Sequence, residues 1–117
     1  TIFVMADQDK ISQVIANLIS NAVKYSPADS TIQITCVLVD KQATVSVRDH
    51  GMGIRQEDLA SLFDRYYRVE NQLTKSISGF GIGLYICSEI IQRHNGQIWV
   101  ESELGEGSVF YFSLAIH

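Results

Sequence analysis

Asn17-Leu18-Ile19-Ser20-Asn21-Ala22-Val23-Lys24-Tyr25 sets two carboxamides and an ammonium beside an apolar stripe, and its period governs how the rest of the chain is read. At roughly 100° per residue, Asn17, Asn21 and Lys24 fall within about 60° of one another. Ile11, Ile15, Leu18 and Ala22 take the neighbouring arc at helical spacing and face a core. A polar edge abutting a buried stripe borders a cleft more naturally than open water. Such an edge offers neutral oxygen ligands to a hard cation and donors to anionic oxygens, the chemistry of a metal-chelated polyphosphate. Alone, the pattern also fits an ordinary solvated helix edge, so the surrounding elements decide.

Working outward, residues 2–5 are a short β-rich run, and Asp7 or Asp9 can cap the helix, which Ser26-Pro27 ends after Tyr25. Residues 31–39 alternate, with Ile32, Ile34, Cys36 and Leu38 on one face. Asp40-Lys41-Gln42 turns the chain into a second strand over residues 43–49. There Ala43, Val45 and Val47 share the core parity, and Asp49 falls on the same face. Residues 56–63 read as a short helix, and residues 64–78 as a polar, mobile flap with few apolar anchors. Residues 83–94 carry Leu84, Cys87, Ile90 and Ile91 on one helical face, stopped by Asn95-Gly96. Ile98-Trp99-Val100 and Phe110-Tyr111-Phe112-Ser113-Leu114 follow as strands around the turn Gly105-Glu106-Gly107. The expected architecture is an α/β (α+β) two-layer sandwich, a mixed sheet of about five strands with three helices on one face.

Composition narrows the function classes. The 117 residues suit one domain with a real core, and 46% are apolar, with a single proline. No repeat or low-complexity run appears, and no apolar run is long enough to span a bilayer, so a soluble, cytoplasmic domain is expected. Cys36 and Cys87 sit at apolar-periodic positions and read as reduced core residues. A net charge of −4 gives no general field for nucleic acid or an acidic membrane, so an anionic ligand needs local groups or a counter-ion such as Mg²⁺.

Asp49-His50-Gly51-Met52-Gly53-Ile54 puts two glycines after the core-facing acid, permitting a tight turn and close approach of backbone to a ligand. A buried carboxylate needs donors, and an adenine amine supplies one while its ring fills an apolar slot lined by Ile54. Turns of this form also occur in plain hairpins. Gly79-Phe80-Gly81-Ile82-Gly83-Leu84 opens a helix whose free N–H groups and dipole can hold phosphate oxygens. It is not a dinucleotide fingerprint, since it follows a polar flap and the next strand lacks a ribose-binding acid at the required distance.

In order and spacing, Asn17…Asn21, Asp49-x-Gly-x-Gly, Phe63-Asp64-Arg65-Tyr66-Tyr67-Arg68 and Gly-x-Gly-x-Gly-Leu resemble the N, G1, F and G2 boxes of bacterial sensor histidine kinases. The resemblance spans essentially the entire chain and implies the catalytic ATP-binding domain, with its Bergerat fold and an ATP lid over about residues 64–82. It implies that Asn21, with Asn17, binds Mg²⁺ and phosphates, that Lys24 contacts phosphate, and that Tyr25 lies against the nucleotide. Asp49 would hold the adenine amine, Gly51, Gly53 and Ile54 would shape the adenine pocket, and Arg68 would approach the phosphates. Gly79, Gly81 and Gly83, followed by Leu84, would hinge and bind, while Phe63 anchors the lid by packing. Phe80 departs from the small or hydroxylated residue usual between the first two glycines of that box, which removes any hydroxyl contact there.

Relatives of the same fold among type II topoisomerases, mismatch-repair proteins and heat-shock chaperones resemble each other in carrying Glu where Asn17 stands, as a base for hydrolysis. Asn cannot act as that base, so Asn17 argues for transfer of the γ-phosphoryl group to a protein acceptor. His50, His94 and His117 lack the neighbouring acid of a phosphoacceptor; the acceptor is expected on a separate dimerisation domain of the same protein, with a response regulator downstream. The parent can be membrane-anchored while this domain touches neither membrane nor nucleic acid and is monomeric. The competing readings are an ATP-binding regulatory module without phosphotransfer, separated by assay with a supplied acceptor domain, and an ATPase clamp, which would hydrolyse ATP alone.

Overall fold

The computed structural model describes residues 4–65 and 83–116. Helix α1 (Gln8–Tyr25) begins where Asp7 leaves the helical region and its carboxylate accepts from the Lys10 N–H, 3.1 Å away. It ends at Ser26, whose extended backbone is what the following proline demands. Strands β1 (Gln33–Val39) and β2 (Gln42–Asp49) form an antiparallel hairpin. A four-residue helix α2 (Gln56–Leu59) precedes α3 (Gly83–Arg93), and β3 (Gln97–Glu103) and β4 (Gly107–Ala115) make a second hairpin. The sheet order is β1-β2-β4-β3, all pairs antiparallel.

The fold class is as expected, but the sheet among the described residues has four antiparallel strands rather than five in a mixed sheet. Two tight hairpins make the β1–β2 and β3–β4 pairs antiparallel, and the central β2–β4 pair joins them in the same sense. Of the first β-rich run, Val4 is described as making one antiparallel bridge to Ile116. The α2 segment is also shorter than the expected helix over residues 56–63; isolated turns, with bonds such as Asp64 N–H to the Ser61 carbonyl, complete it.

Val14, Leu18 and Ala22 of α1 meet Cys87, Ile90 and Ile91 of α3 over Val47, Phe110, Phe112 and Leu114 of the sheet. Each fully buried Leu, Ile or Phe here contributes about 1.5–3 kcal/mol by leaving water. α1 packs on β2 and α3 on β3 and β4, which leaves the edge strand β1 exposed along its whole length. This corrects one expectation. Cys36 is exposed rather than a core residue, and Leu38, on its face, is 56% exposed.

The end of α3 is tied down twice. Asn95, at φ 58°, lets Gly96 N–H reach the Ile91 carbonyl and Asn95 N–H the Gln92 carbonyl, both at 3.0 Å. His94 then links the helices: its Nδ1–H donates to the Ile90 carbonyl at 2.8 Å and its Nε2 accepts from Asp7 N–H at 3.0 Å. That partnering assigns the tautomer. It also gives His94 the structural part that its lack of a neighbouring acid implied.

Candidate functional site

The turn after β2 is built around a carboxylate. Asp49 ends the inward row Ala43-Val45-Val47 and is 6% exposed. One of its oxygens accepts from the Gly51 N–H at 2.9 Å, and the Ser108 N–H of β4 donates as well. Burial nevertheless pushes the carboxyl above its ordinary value, outweighing those two N–H groups and nearby His50. The acid therefore already has backbone donors, and its remaining acceptor capacity is what a ligand amine would use.

Gly51 is required by close approach, since a Cβ there would lie 2.1 Å from the Tyr25 carbonyl oxygen. This contact seats the end of α1 against the turn that holds Asp49. Gly53 is required twice over, by φ of +73° and by a Cβ that would come 2.0 Å from the Glu103 carbonyl oxygen. Gly105 N–H donates to the Met52 carbonyl at 2.7 Å, closing the turn onto the β3–β4 hairpin.

On α1, Asn17, Asn21 and Tyr25 are half-buried and Lys24 is exposed in the last turn. Behind this face of α1, Cys87 of α3 is fully buried. Its thiol donates to the Val14 carbonyl at 3.8 Å. Gly83 opens α3, where no other described residue lies within 4 Å of the position of a Cβ, and Leu84 packs on the core. Phe63 meets Phe110 edge-on, centroids 6.3 Å apart, at the border of the core. A separate open groove of about 880 Å³ runs between α3 and β3, lined by residues including Tyr85, Glu89 and Trp99; Asn17, Asn21 and Asp49 do not line it.

The sequence signature of the family described as Histidine kinase-, DNA gyrase B-, and HSP90-like ATPase matches residues 6–117. The chain belongs to that family. It is similar to sensor histidine kinase WalK of Bacillus subtilis (strain 168), 41% identical over 115 residues, covering 97% of this chain and 19% of that protein. It is also similar to adaptive-response sensory kinase SasA of Synechococcus elongatus, 40% identical over 113 residues, covering 96% of this chain and 29% of that protein. Among solved structures it resembles full-length ShkA in complex with AMPPNP, TM-score 0.85 and 28% identity, covering 99% of this chain and 23% of that one. The chain thus spans less than a third of the curated relatives it matches.

Of the residues expected in this ATPase-family site, Tyr25, Asp49, Gly51, Gly53 and Ile54 gather where the end of α1 meets the β2 turn. Asn17, Asn21 and Lys24 lie along the same helix α1. Arg68, Gly79 and Gly81, and the lid beyond Arg65, lie outside the described residues. Two residues went unnoticed in the sequence. Ser102 Oγ accepts from Ile54 N–H at 2.8 Å and donates to the Gly107 carbonyl at 2.9 Å. Since that uses its one proton, Ser108 Oγ donates to Ser102 Oγ, 2.8 Å away. This hydroxyl pair supports the turn from beneath, and only the position of Ser108 directly across from Asp49 could have signalled it.

Proposed function

We propose that this chain is the ATP-binding catalytic domain of a sensor histidine kinase, which transfers the γ-phosphoryl group of ATP to a histidine on a separate dimerisation domain. The observation that carries the reading is the buried Asp49 carboxylate, aimed by the Gly51 N–H and set against the last turn of α1. In this reading Asp49 accepts from the adenine amine, Gly51 and Gly53 let the ring approach the backbone, and Ile54 forms one wall. Tyr25 lies against the nucleotide, Lys24 and Arg68 meet phosphate oxygens, and Gly79, Gly81 and Gly83, followed by Leu84, hinge and bind.

Mg²⁺ fits the donor set. Asn21 and Asn17 offer neutral carboxamide oxygens of the kind a hard cation takes, and they would hold a cation brought by the phosphates. When bound, it offsets the negative charge of the phosphates. Neither Asn can take a proton from water, which leaves the γ-phosphoryl group for an attacking imidazole supplied by the dimerisation domain. A response regulator receives the group next. The domain works in the cytoplasm, where ATP is supplied, and among the described residues no helix is long and apolar enough to cross a membrane.

Calorimetric titration of ATP with Mg²⁺ into the chain and into Asp49→Asn and Asn21→Ala tests the site. Saturable binding, lost in Asp49→Asn and made insensitive to Mg²⁺ in Asn21→Ala, is the expected result; no binding by the folded parent overturns it. Incubation with a supplied dimerisation domain and labelled ATP tests the transfer: acid-labile label on that domain is expected, and free phosphate alone would mark a hydrolase.

A further inference from the structure

Strand β1 is an edge of the sheet and carries none of the features that usually blunt one. Gln33–Val39 has no charged residue and no proline, and it pairs with β2 one residue to one, from Gln33 opposite Arg48 to Val39 opposite Gln42, with no bulge. All seven residues are exposed, and Ile34 and Leu38 on one face and Val37 and Val39 on the other are about half exposed. The two-residue turn Asp40-Lys41, both at positive φ, is closed by Val39 and Gln42 as a hydrogen-bonded pair. Bonded pairs recur at every second residue, so Val37, Thr35 and Gln33 also turn their N–H and C=O groups to β2. Those of Ile34, Cys36 and Leu38 point out of the sheet, where no described strand lies beside them.

We propose that β1 pairs antiparallel with the β1 of a second copy of this chain, about a two-fold axis at Cys36, so that two four-stranded sheets become one. The strand is self-complementary about that residue: Ile34 lies opposite Leu38 of the other copy, Thr35 opposite Val37, and Cys36 opposite its own equivalent. Of the registers open to such a pair, this one alone overlaps all seven residues. It brings the outward N–H and C=O groups of Ile34, Cys36 and Leu38 onto their counterparts, and it runs the three side chains into one apolar row across the seam. Charge favours a copy here over elsewhere on the surface. At a net charge of −4 each chain repels another, and β1 brings no charge of its own to the contact. Two strands of this length bury less than the roughly 1,200 Å² of a standard interface, so the dimer is weak and reversible. It departs from the monomer expected of the sequence, and it uses no residue of the nucleotide site, so it stands apart from the ATP reading.

The test is sedimentation equilibrium in reductant, so that no disulfide contributes, from about 10 μM to about 1 mM chain. The parent is compared with Cys36→Lys, Cys36→Glu, an equimolar mixture of those two, and Met5→Lys, which places a charge at an exposed apolar residue outside β1. Position 36 is exposed, so either charge is tolerated by the monomer, and thermal melts confirm folding; Leu38→Lys and Leu38→Glu, mixed with Ile34→Glu and Ile34→Lys respectively, replace the pair if one does not fold. The expected result is a monomer–dimer equilibrium in the parent, unchanged in Met5→Lys. Cys36→Lys and Cys36→Glu, which set like charges directly opposite each other, should each weaken it at least about fivefold, and their mixture should restore it. Dimers that persist in both single variants overturn the proposal, as does a mixture that stays as weak as its components, which would remove the two-fold register. A parent that stays monomeric to about 1 mM overturns it too and leaves β1 to a strand from a different protein.

Discussion

Burial lifts the Asp49 carboxyl above its ordinary value of 3.8, against the pull of the Gly51 and Ser108 N–H groups and of His50. A group whose folded value is raised gives a stability contribution that is complete below the unfolded value and lost as pH rises through the folded one. Ionised Asp49 therefore weakens the fold at neutral pH in exchange for an acceptor in the site. Asp49→Asn keeps one oxygen for the backbone donors and sheds the charge, so at pH 7 its stability should lie within about 1 kcal/mol of the parent. Urea denaturation between about pH 4 and pH 7 should show the parent losing stability relative to the variant as pH rises; a parent that gains on the variant over that range would contradict the assignment. The cysteines separate just as clearly. Cys36 is exposed on β1, while Cys87 is buried and pushed up to about 11. A maleimide at about pH 8 should label the folded chain at Cys36 alone, with Cys87 reacting only in denaturant; labelling at both sites without denaturant would show that α1 and α3 separate readily.

Among the elements, α1 was legible to within a residue because both its signals are local: an acid at the cap and a Ser-Pro stop. The parity of β2 was equally plain, down to Asp49. The fate of β1 was not, because alternation shows that Ile34, Cys36 and Leu38 share a face without showing whether a helix lies over it. Sheet order decides that, and α1 covers β2 instead. Ser102 and Ser108 read as ordinary strand residues because their meaning lies in a register between hairpins, and the contact of the Cys87 thiol with the Val14 carbonyl depends on how two distant helices cross. The β1–β2 turn also carried a hidden strain: Asp40 and Lys41 sit at φ 50° and 64°, left-handed values that suit Asn-Gly far better. Asp40→Asn with Lys41→Gly should stabilise the chain by about 1 kcal/mol in chemical denaturation without altering nucleotide affinity. A destabilised double variant would mean that the turn side chains make contacts worth more than the strain.

At the scale of the whole molecule, the proposed site joins parts the core holds only at a distance: the end of α1, the β2 turn closed onto the β3–β4 hairpin, and the start of α3. Packing α1 and α3 on one sheet makes these parts share a single core, so the chain should melt cooperatively. A ligand that bridges all three binds only the folded form, and at 100 times its dissociation constant adds about 2.7 kcal/mol to stability. For a domain of this size that corresponds to a rise in midpoint of roughly 10 °C. Scanning calorimetry with ATP and Mg²⁺ should show that rise for the parent, a smaller one when Mg²⁺ is chelated, and none for Asp49→Asn. The dependence on Mg²⁺ follows from charge as well as geometry: with a net charge of −4 the molecule repels a bare polyphosphate, and only local groups and the accompanying cation offset that. If chelating Mg²⁺ left the rise intact while Asp49→Asn abolished it, adenine recognition would stand but the carboxamide pair would have no part in holding the cation.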